Sequence, residues 1–311
     1  MRTFDADAVH AALPYAVLIE ALRHAHRGPL PLSDVLVQSD PGGSGNQFVT
    51  LPGWLSGQLI VVKMVGVFPG NLSRVPPQPS VQGLVAVFDA GTGAPRLVAD
   101  GAAMTFRKTA ADSGLGAALL ARAGAETLLV VGAGGLAPHV VAAHRAARPG
   151  LNRVLIWNRT PARAATLVAR LRAEGIGAEL AEDLNTAVPQ ADVISCVTMS
   201  DRALVRGALL KPGAHLDLIG AYLPTMREAD DAALARGRLF VDTRNGREGA
   251  GELAQAVASG AIGWDAIRGD LFDLVQGRVA GRQSEDEITV FKNIGGAHLD
   301  LFTAQALLAT S

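Results

Sequence analysis

The sequence predicts an α/β fold in which a doubly wound parallel sheet follows an α+β domain. Three observations carry that expectation. Residues 47 to 100 hold short runs rich in Val, Leu and Phe between turn residues, the pattern of an antiparallel sheet. From residue 127 onward strand-like and helix-like stretches alternate, as crossover connections between parallel strands require. The first strand of that series runs into a glycine turn that opens a helix.

The elements are expected in this order. Residues 14 to 26 form a helix with apolar positions at Val17, Leu18 and Leu22, and a loop rich in Pro, Gly and Ser runs from Gly28 to Asn46. Strands then cover Gln47–Leu51, Gln58–Val67, Gln82–Asp89 and Arg96–Asp100, with a tight turn at Asp89–Gly93. A helix over Thr109–Ala123 joins the two halves. Parallel strands follow at 127–131, 153–157, 192–197, 215–219 and 238–242, and a last helix, Gly296–Ala309, folds back onto the first half. The expected domains are therefore 1–115 with the returning segment 294–311, and 116–293. A chain of 311 residues is long enough to give each a core of its own.

Composition excludes several classes of function. Lys and Arg number 28 against 29 for Asp and Glu, so a net charge of −1 draws the chain to neither nucleic acid nor an anionic membrane, and a small-molecule substrate is expected. The single cysteine, Cys196, sits in an apolar run and reads as a buried, inert thiol in a reducing cytoplasm. No signal peptide or membrane anchor is expected. The seven histidines His10, His24, His26, His139, His144, His215 and His298 are scattered, without the spacing of a metal site.

The glycine turn is the strongest chemical signal. The apolar run Thr127–Val131 leads into Gly132, Ala133, Gly134, Gly135, Leu136 and Ala137. Gly132 permits the tight turn, Gly134 lets the backbone approach a diphosphate, and Ala137 allows the helix to pack closely on the strand. Exposed N–H groups and the helix dipole favour the anion, so a Rossmann-type dinucleotide site is expected. An NAD site places a carboxylate about 20 residues further on to hold the ribose hydroxyls. This chain has Asn158, Arg159 and Thr160 there. An arginine and a hydroxyl suit a 2′-phosphate, so NADP(H) is expected over NAD(H). The same residues also suit a simple turn that caps the helix from Pro161. Further candidate cofactor residues are Val197 and Thr198 at the end of one strand, Gly220 at the end of the next, and Lys292.

Lys63 interrupts the apolar run Leu59–Phe68. One reading is an edge-strand lysine that reaches water; the other is a cation that holds a substrate carboxylate or handles a proton. Arg107 and Lys108 fall at the expected start of the joining helix, where the dipole disfavours cations unless an anion is bound.

Several segments together resemble the ornithine cyclodeaminase and μ-crystallin family, which also contains archaeal-type alanine dehydrogenases and cyclic ketimine reductases. They are Val62–Asn71, Arg107–Ser113, the turn at Gly132, Trp157–Thr160, Ile219–Pro224 with Arg227 and Glu228, and Ile288–Asn293. The resemblance implies a homodimer built through the first domain, a bound nicotinamide dinucleotide, and chemistry at an imine or amine carbon next to a carboxylate. It puts Lys63 on the family's substrate lysine and Lys108, with Arg107 before it, on the carboxylate clamp. Members that cyclise ornithine carry an aspartate where this chain has Tyr222, and an arginine upstream of Leu51–Pro52 where this chain has none between Arg27 and Arg74.

The expected function is thus NAD(P)H-dependent reduction of the C=N bond of a small, cyclic α-imino acid, with Lys63, Arg107, Lys108 and Tyr222 as candidate catalytic residues and no metal. Two alternatives stand beside it: ornithine cyclodeamination, and a binding protein that holds NADP(H) with little catalysis.

Overall fold

The computed structural model of the chain describes residues 1–76 and 78–310. Pro77 and Ser311, both inside the expected first-domain ranges, lie outside the described residues. The chain divides into two compact units, Met1–Lys108 with Gly296–Ser311, and Thr109–Gly295.

The first unit runs β1 (Arg2–Phe4), α1 (Ala6–Ala12), α2 (Tyr15–Ala25), β2 (Leu32–Ser33), β3 (Leu36–Ser39), β4 (Gln47–Leu55), β5 (Leu59–Val67), β6 (Val81–Asp89), β7 (Pro95–Asp100) and the start of α3 (Gly101–Leu120). Its seven strands form one sheet in the order β1-β7-β6-β5-β4-β2, with β3 also on β4. All pairs are antiparallel except β1 with β7. The strict alternation of β5 buries Leu59, Val61, Lys63 and Val65 on one face and leaves Ile60, Val62 and Met64 half-buried on the other.

Four features of this unit differ from expectation. Val17 is 55% exposed, because the inward stripe of α2 is Tyr15, Leu18, Ile19 and Leu22, spaced at helical period. The expected loop 28–46 contains the two short strands β2 and β3, whose residues are exposed and therefore carry no buried-face pattern to read. Strand β4 continues through Pro52, which pairs in register with Val62. Helix α3 begins at Gly101, eight residues early, because the Asp100 carboxylate accepts from the Ala103 N–H at 2.7 Å and starts it. A Cβ on Gly101 would lie 2.6 Å from the Gly83 carbonyl carbon, so only glycine lets the helix start this close to β6. Arg107 and Lys108 therefore lie nearly two turns inside α3, and the expected dipole conflict at a helix start does not arise.

The second unit holds the rest of α3 and then β8 (Thr127–Val131), α4 (Ala137–Ala147), β9 (Arg153–Trp157), α5 (Pro161–Ala173), β10 (Ala178–Leu180), α6 (Leu184–Ala187), β11 (Val193–Cys196), β12 (His215–Leu218), α7 (Asp231–Arg236), β13 (Arg238–Val241), α8 (Gly251–Ala258), β14 (Ile267–Asp270), α9 (Leu271–Val275) and β15 (Thr289–Lys292). Eight parallel strands stand in the order β10-β9-β8-β11-β12-β15-β13-β14. This is the doubly wound, Rossmann-type sheet. The last strand, β15, inserts between β12 and β13; its four residues are all buried, too short a run to separate from a buried helix turn in sequence. Leu129, Val131, Ile194, Cys196, Leu216, Leu218, Val241 and Val290 make the centre of the core, each fully buried leucine contributing about 2 kcal/mol.

The closing helix α10 (Ala297–Ala309) belongs to the first unit, where it packs on β5, β4 and α2. No helix among the described residues is long and apolar enough to cross a membrane.

Candidate active site

In the second unit the carboxyl ends of the strands carry the glycine turn, the candidate nucleotide cradle. From β8 the chain winds to β9 and β10 on one side, and β11 lies on the other, so the winding reverses between β8 and β11. A crevice opens at such a reversal, and ligands of open α/β sheets bind there. Gly132 leaves β8 at φ +121°, and a Cβ on it would lie 2.9 Å from Val197 Cγ2 and 3.0 Å from the Val197 carbonyl. Gly134 and Gly135 are exposed, nothing lies within 4 Å of where a Gly134 Cβ would stand, and Ala137 is buried under the first turn of α4. The turn is thus open at Gly134, where a diphosphate would need room and backbone N–H groups to hold it.

At the end of β9, Asn158 Oδ1 accepts from the Ala133 N–H at 3.2 Å while its Nδ2 donates to the Thr160 carbonyl at 2.9 Å. Asn158 therefore ties the glycine turn to the next loop. Arg159 and Thr160 are exposed, and no acid stands in Trp157–Thr160. Thr160 occupies the N-cap position of α5 but its side chain makes no capping bond.

The ends of β11 and β12 are clasped by Glu228. Its Oε1 accepts from the Thr198 N–H at 2.6 Å and the Thr198 hydroxyl at 2.8 Å, and its Oε2 accepts from the Gly220 N–H at 2.7 Å. A Cβ on Gly220 would fall 1.7 Å from the Thr198 carbonyl, so the clasp closes only with glycine there. Burial pushes the Glu228 carboxyl up to about 7, offset in part by Lys292. Behind it, Glu252 accepts from the N–H groups of Glu228 and Ala229, both at 2.8 Å.

Lys292 is wholly buried and donates to the carbonyls of Leu218 and Ile219, both at 3.3 Å. Its ammonium supports the Gly220 loop from beneath; direct contact with a dinucleotide, as expected from sequence, is not what its position offers. Asn293 continues the support, its Nδ2 donating to the Thr109 carbonyl and to Ser113 Oγ, each at 3.2 Å. Tyr222, two residues past Gly220, is 58% exposed.

The first unit gathers a second constellation. Lys63 stands on the central strand β5, 9% exposed, which removes the edge-strand reading. Its Nζ donates to Thr105 Oγ1 at 2.8 Å and lies 3.9 Å from Asp300 Oδ1; Thr105 in turn donates to the Gly101 carbonyl at 2.7 Å. Lys108 Nζ donates to Asp300 Oδ2 at 2.7 Å and to the Gly296 carbonyl at 3.3 Å. Burial brings the Lys63 ammonium down to about 8, with Asp300 pulling it up and Lys108 pushing it down. A cavity of about 160 Å³ opens beside Lys63, walled by Val65, Val81, Gly83, Ala102 and Phe106, with Gln82 and Thr105 also on its lining. It contains no acidic side chain.

Arg107 turns away from this cluster. Its guanidinium donates to His10 Nδ1 at 3.0 Å and to the His10 carbonyl at 2.9 Å, and stacks 4.4 Å over the Tyr15 ring. Of the two adjacent cations, Lys108 is the one that shares a partner with Lys63.

The residues not singled out in sequence are Thr105, Asp300, Glu252 and the clasping role of Glu228. A signal for Asp300 exists: it is the one charged residue of α10, a helix apolar on all sides, where an unpaired acid would be costly. No group of three or more potential metal ligands occurs among the described residues.

Comparison with known proteins gives the family and the fold. The chain is 47% identical over 290 residues to the Delta(1)-pyrroline-2-carboxylate reductase of Paracoccus denitrificans, covering 92% of this chain and 89% of that protein. Its fold superposes on the Delta(1)-pyrroline-2-carboxylate reductase of Thermococcus litoralis, solved with NADH and L-proline, with a TM-score of 0.92 over 100% of this chain and 97% of that one at 23% identity. It also superposes on the iminosuccinate reductase of Paracoccus denitrificans in complex with NAD+, with a TM-score of 0.88 over 100% and 96% of the two chains at 26% identity. The model of the ornithine cyclodeaminase/mu-crystallin family matches residues 15–308, and the chain belongs to that family.

Proposed function

We propose that this chain is an NAD(P)H-dependent oxidoreductase that reduces the C=N bond of a small cyclic α-imino acid to the corresponding cyclic amino acid. The observation that carries the reading is the buried ammonium of Lys63 on the lining of an acid-free apolar cavity of about 160 Å³, with Lys108 joined to it through their shared partner Asp300. Such a seat suits a carboxylate attached to a small hydrocarbon ring. The likeness to a pyrroline-2-carboxylate reductase points to the same substrate class.

When bound, the reduced nicotinamide supplies the hydride to the ring carbon. The protein's part is placement: Lys63 and Lys108 hold the carboxylate, the cavity walls exclude water from the ring, and Lys63 or water gives the ring nitrogen its proton. Gly134, Gly135 and the α4 terminus would hold the diphosphate, and Thr198 and Gly220, set by Glu228, would frame the nicotinamide end. Arg159 and Thr160, with no acid in Trp157–Thr160, favour NADP(H) over NAD(H). Ornithine cyclodeamination fits less well, since Tyr222 replaces the acid and the cavity offers no carboxylate to a second amine.

A homodimer through the first unit is part of the same reading. The face of its sheet opposite Lys63 carries the cross-strand rows Thr50-Met64-Leu84, Pro52-Val62-Ala86 and Trp54-Ile60-Phe88, with Trp54 49% and Leu84 38% exposed.

The deciding experiment adds pyrroline-2-carboxylate or its six-membered homologue to enzyme and NADPH and follows absorbance. A fall supports the reading, with NADPH binding more tightly than NADH. Ammonia release from ornithine with no net cofactor change would overturn it.

A further inference from the structure

The two lysines of the first unit share one acid. Asp300 is fully buried on α10; its Oδ2 takes the Lys108 ammonium at 2.7 Å, while Oδ1 accepts no hydrogen bond among the described residues and lies 3.9 Å from Lys63 Nζ. Two ammonium groups around one carboxylate leave a net charge of +1 in a buried place. Among the other groups bonded to the two ammonium groups, none cancels it. Thr105 on α3 and the Gly296 carbonyl are neutral acceptors. His298, on α10 two residues before Asp300, is held far below the usual histidine range by burial, and His26 at the C-cap of α2, edge-on to His298 at 6.0 Å, is brought down to about 4, so both rings are neutral near pH 7. Each ammonium has three donors. The bonds present leave two on Lys63 and one on Lys108, enough to meet both oxygens of an incoming carboxylate.

We propose that Asp300 is a positioning residue that neutralises one of the two ammonium groups of Lys63 and Lys108, making of them a receptor of single positive charge for a substrate end bearing one carboxylate. The inference rests on the imino acid reading above and adds to it a charge rule. Without Asp300, two like charges face each other with little water to screen them, and one must give up its proton. With Asp300, the two ammonium groups share one counter-charge and keep their spare donors. The Asp300 carboxylate touches no substrate in this scheme; it acts through the lysines.

The test is a double-mutant cycle of Asp300→Asn and Lys108→Met in the full chain. Asp300→Asn is expected to lower kcat/KM for the cyclic imino acid by about 100-fold, mostly through KM, and to move the alkaline limb of its pH profile down by about one unit or more. Adding Lys108→Met restores the single charge. The limb should return toward its wild-type position and the lost thermal stability should be regained, even though catalysis stays weak. An unmoved limb in Asp300→Asn, or losses of stability that simply add in the double variant, would show that Asp300 is only part of the packing. Should Asp300→Asn fail to fold, the double variant is expected to fold, and its failure would equally overturn the proposal. If the wild-type enzyme reduces no imino acid, the functional reading falls, while the stability comparison still decides the role of Asp300.

Discussion

Lys108 and Asp300, 192 residues apart in the chain, meet at 2.7 Å, and that contact separates Lys108 from its neighbour Arg107. Successive residues of a helix point about 100° apart, so only one of the two can face the Lys63 side of α3. Arg107 is spent on His10 and Tyr15 instead.

Arg107→Met should therefore act on stability. It removes a stacked guanidinium and its hydrogen bonds, with an expected loss of about 1–3 kcal/mol and a substrate KM within about twofold of wild type. Lys108→Met should raise KM at least about tenfold. Thermal unfolding and steady-state kinetics on the two variants check this; the opposite assignment of effects would place Arg107 at the carboxylate.

The glycines of the cradle divide by what surrounds them. Gly132→Ala meets Val197 at 2.9 Å in a left-handed backbone conformation and should lose about 1–3 kcal/mol of stability. Gly134→Ala meets nothing within 4 Å, so it should fold with stability within about 0.5 kcal/mol of wild type. Its added methyl would instead occupy diphosphate space and weaken NADPH binding at least about tenfold. Normal NADPH titration of Gly134→Ala would refute the cradle.

The pH dependence of turnover follows from Lys63, whose folded-state value of about 8 lies below the 10.5 of a free lysine. The ammonium that the proposed function assigns to the substrate carboxylate is lost as pH rises through about 8, so kcat/KM should fall there. Stability has the opposite sign: the unfolded lysine binds its proton more tightly, so the penalty of burying the charge is full below pH 8 and is relieved as pH rises from 8 to 10.5. Lys63→Met should abolish turnover and leave NADPH binding intact. Lys63→Arg should move the alkaline limb upward, because a guanidinium does not titrate there; a limb that stays near 8 in Lys63→Arg would assign it to another group.

Glu228→Gln tests the clasp between β11 and β12. The amide can replace only one accepting oxygen, so either the Thr198 or the Gly220 N–H faces a donor, at a cost of about 1–3 kcal/mol. NADPH affinity should fall with it, since in the proposed function both backbone groups would frame the nicotinamide end. Calorimetry and fluorescence titration report the two effects; unchanged affinity would make the clasp purely structural.

What was legible in the sequence has a common physical character. The turn at Gly132–Ala137, the alternation that sets Lys63 on a strand, the parallel series from Thr127 and the missing acid at Asn158–Thr160 are local patterns of period, conformational freedom and charge, which neighbouring residues express without help from distant ones. The early start of α3 and the continuation of β4 through Pro52 were not legible, because a cap formed by Asp100 and a pairing with Val62 both override propensity. Lys292 was legible as a residue that matters but not as a buried prop.

The sequence by itself determined the fold class, the glycine turn that opens a helix and the strand that carries Lys63, since each is specified by residues close together in the chain. Only the tertiary structure decided that Lys108 rather than Arg107 joins Lys63, that Asp300 stands between them, and that Glu228 ties Thr198 to Gly220. Those choices depend on which helix face packs inward and on how strands far apart in sequence come into register, and charge pairing is settled only once burial has removed water as the competing partner.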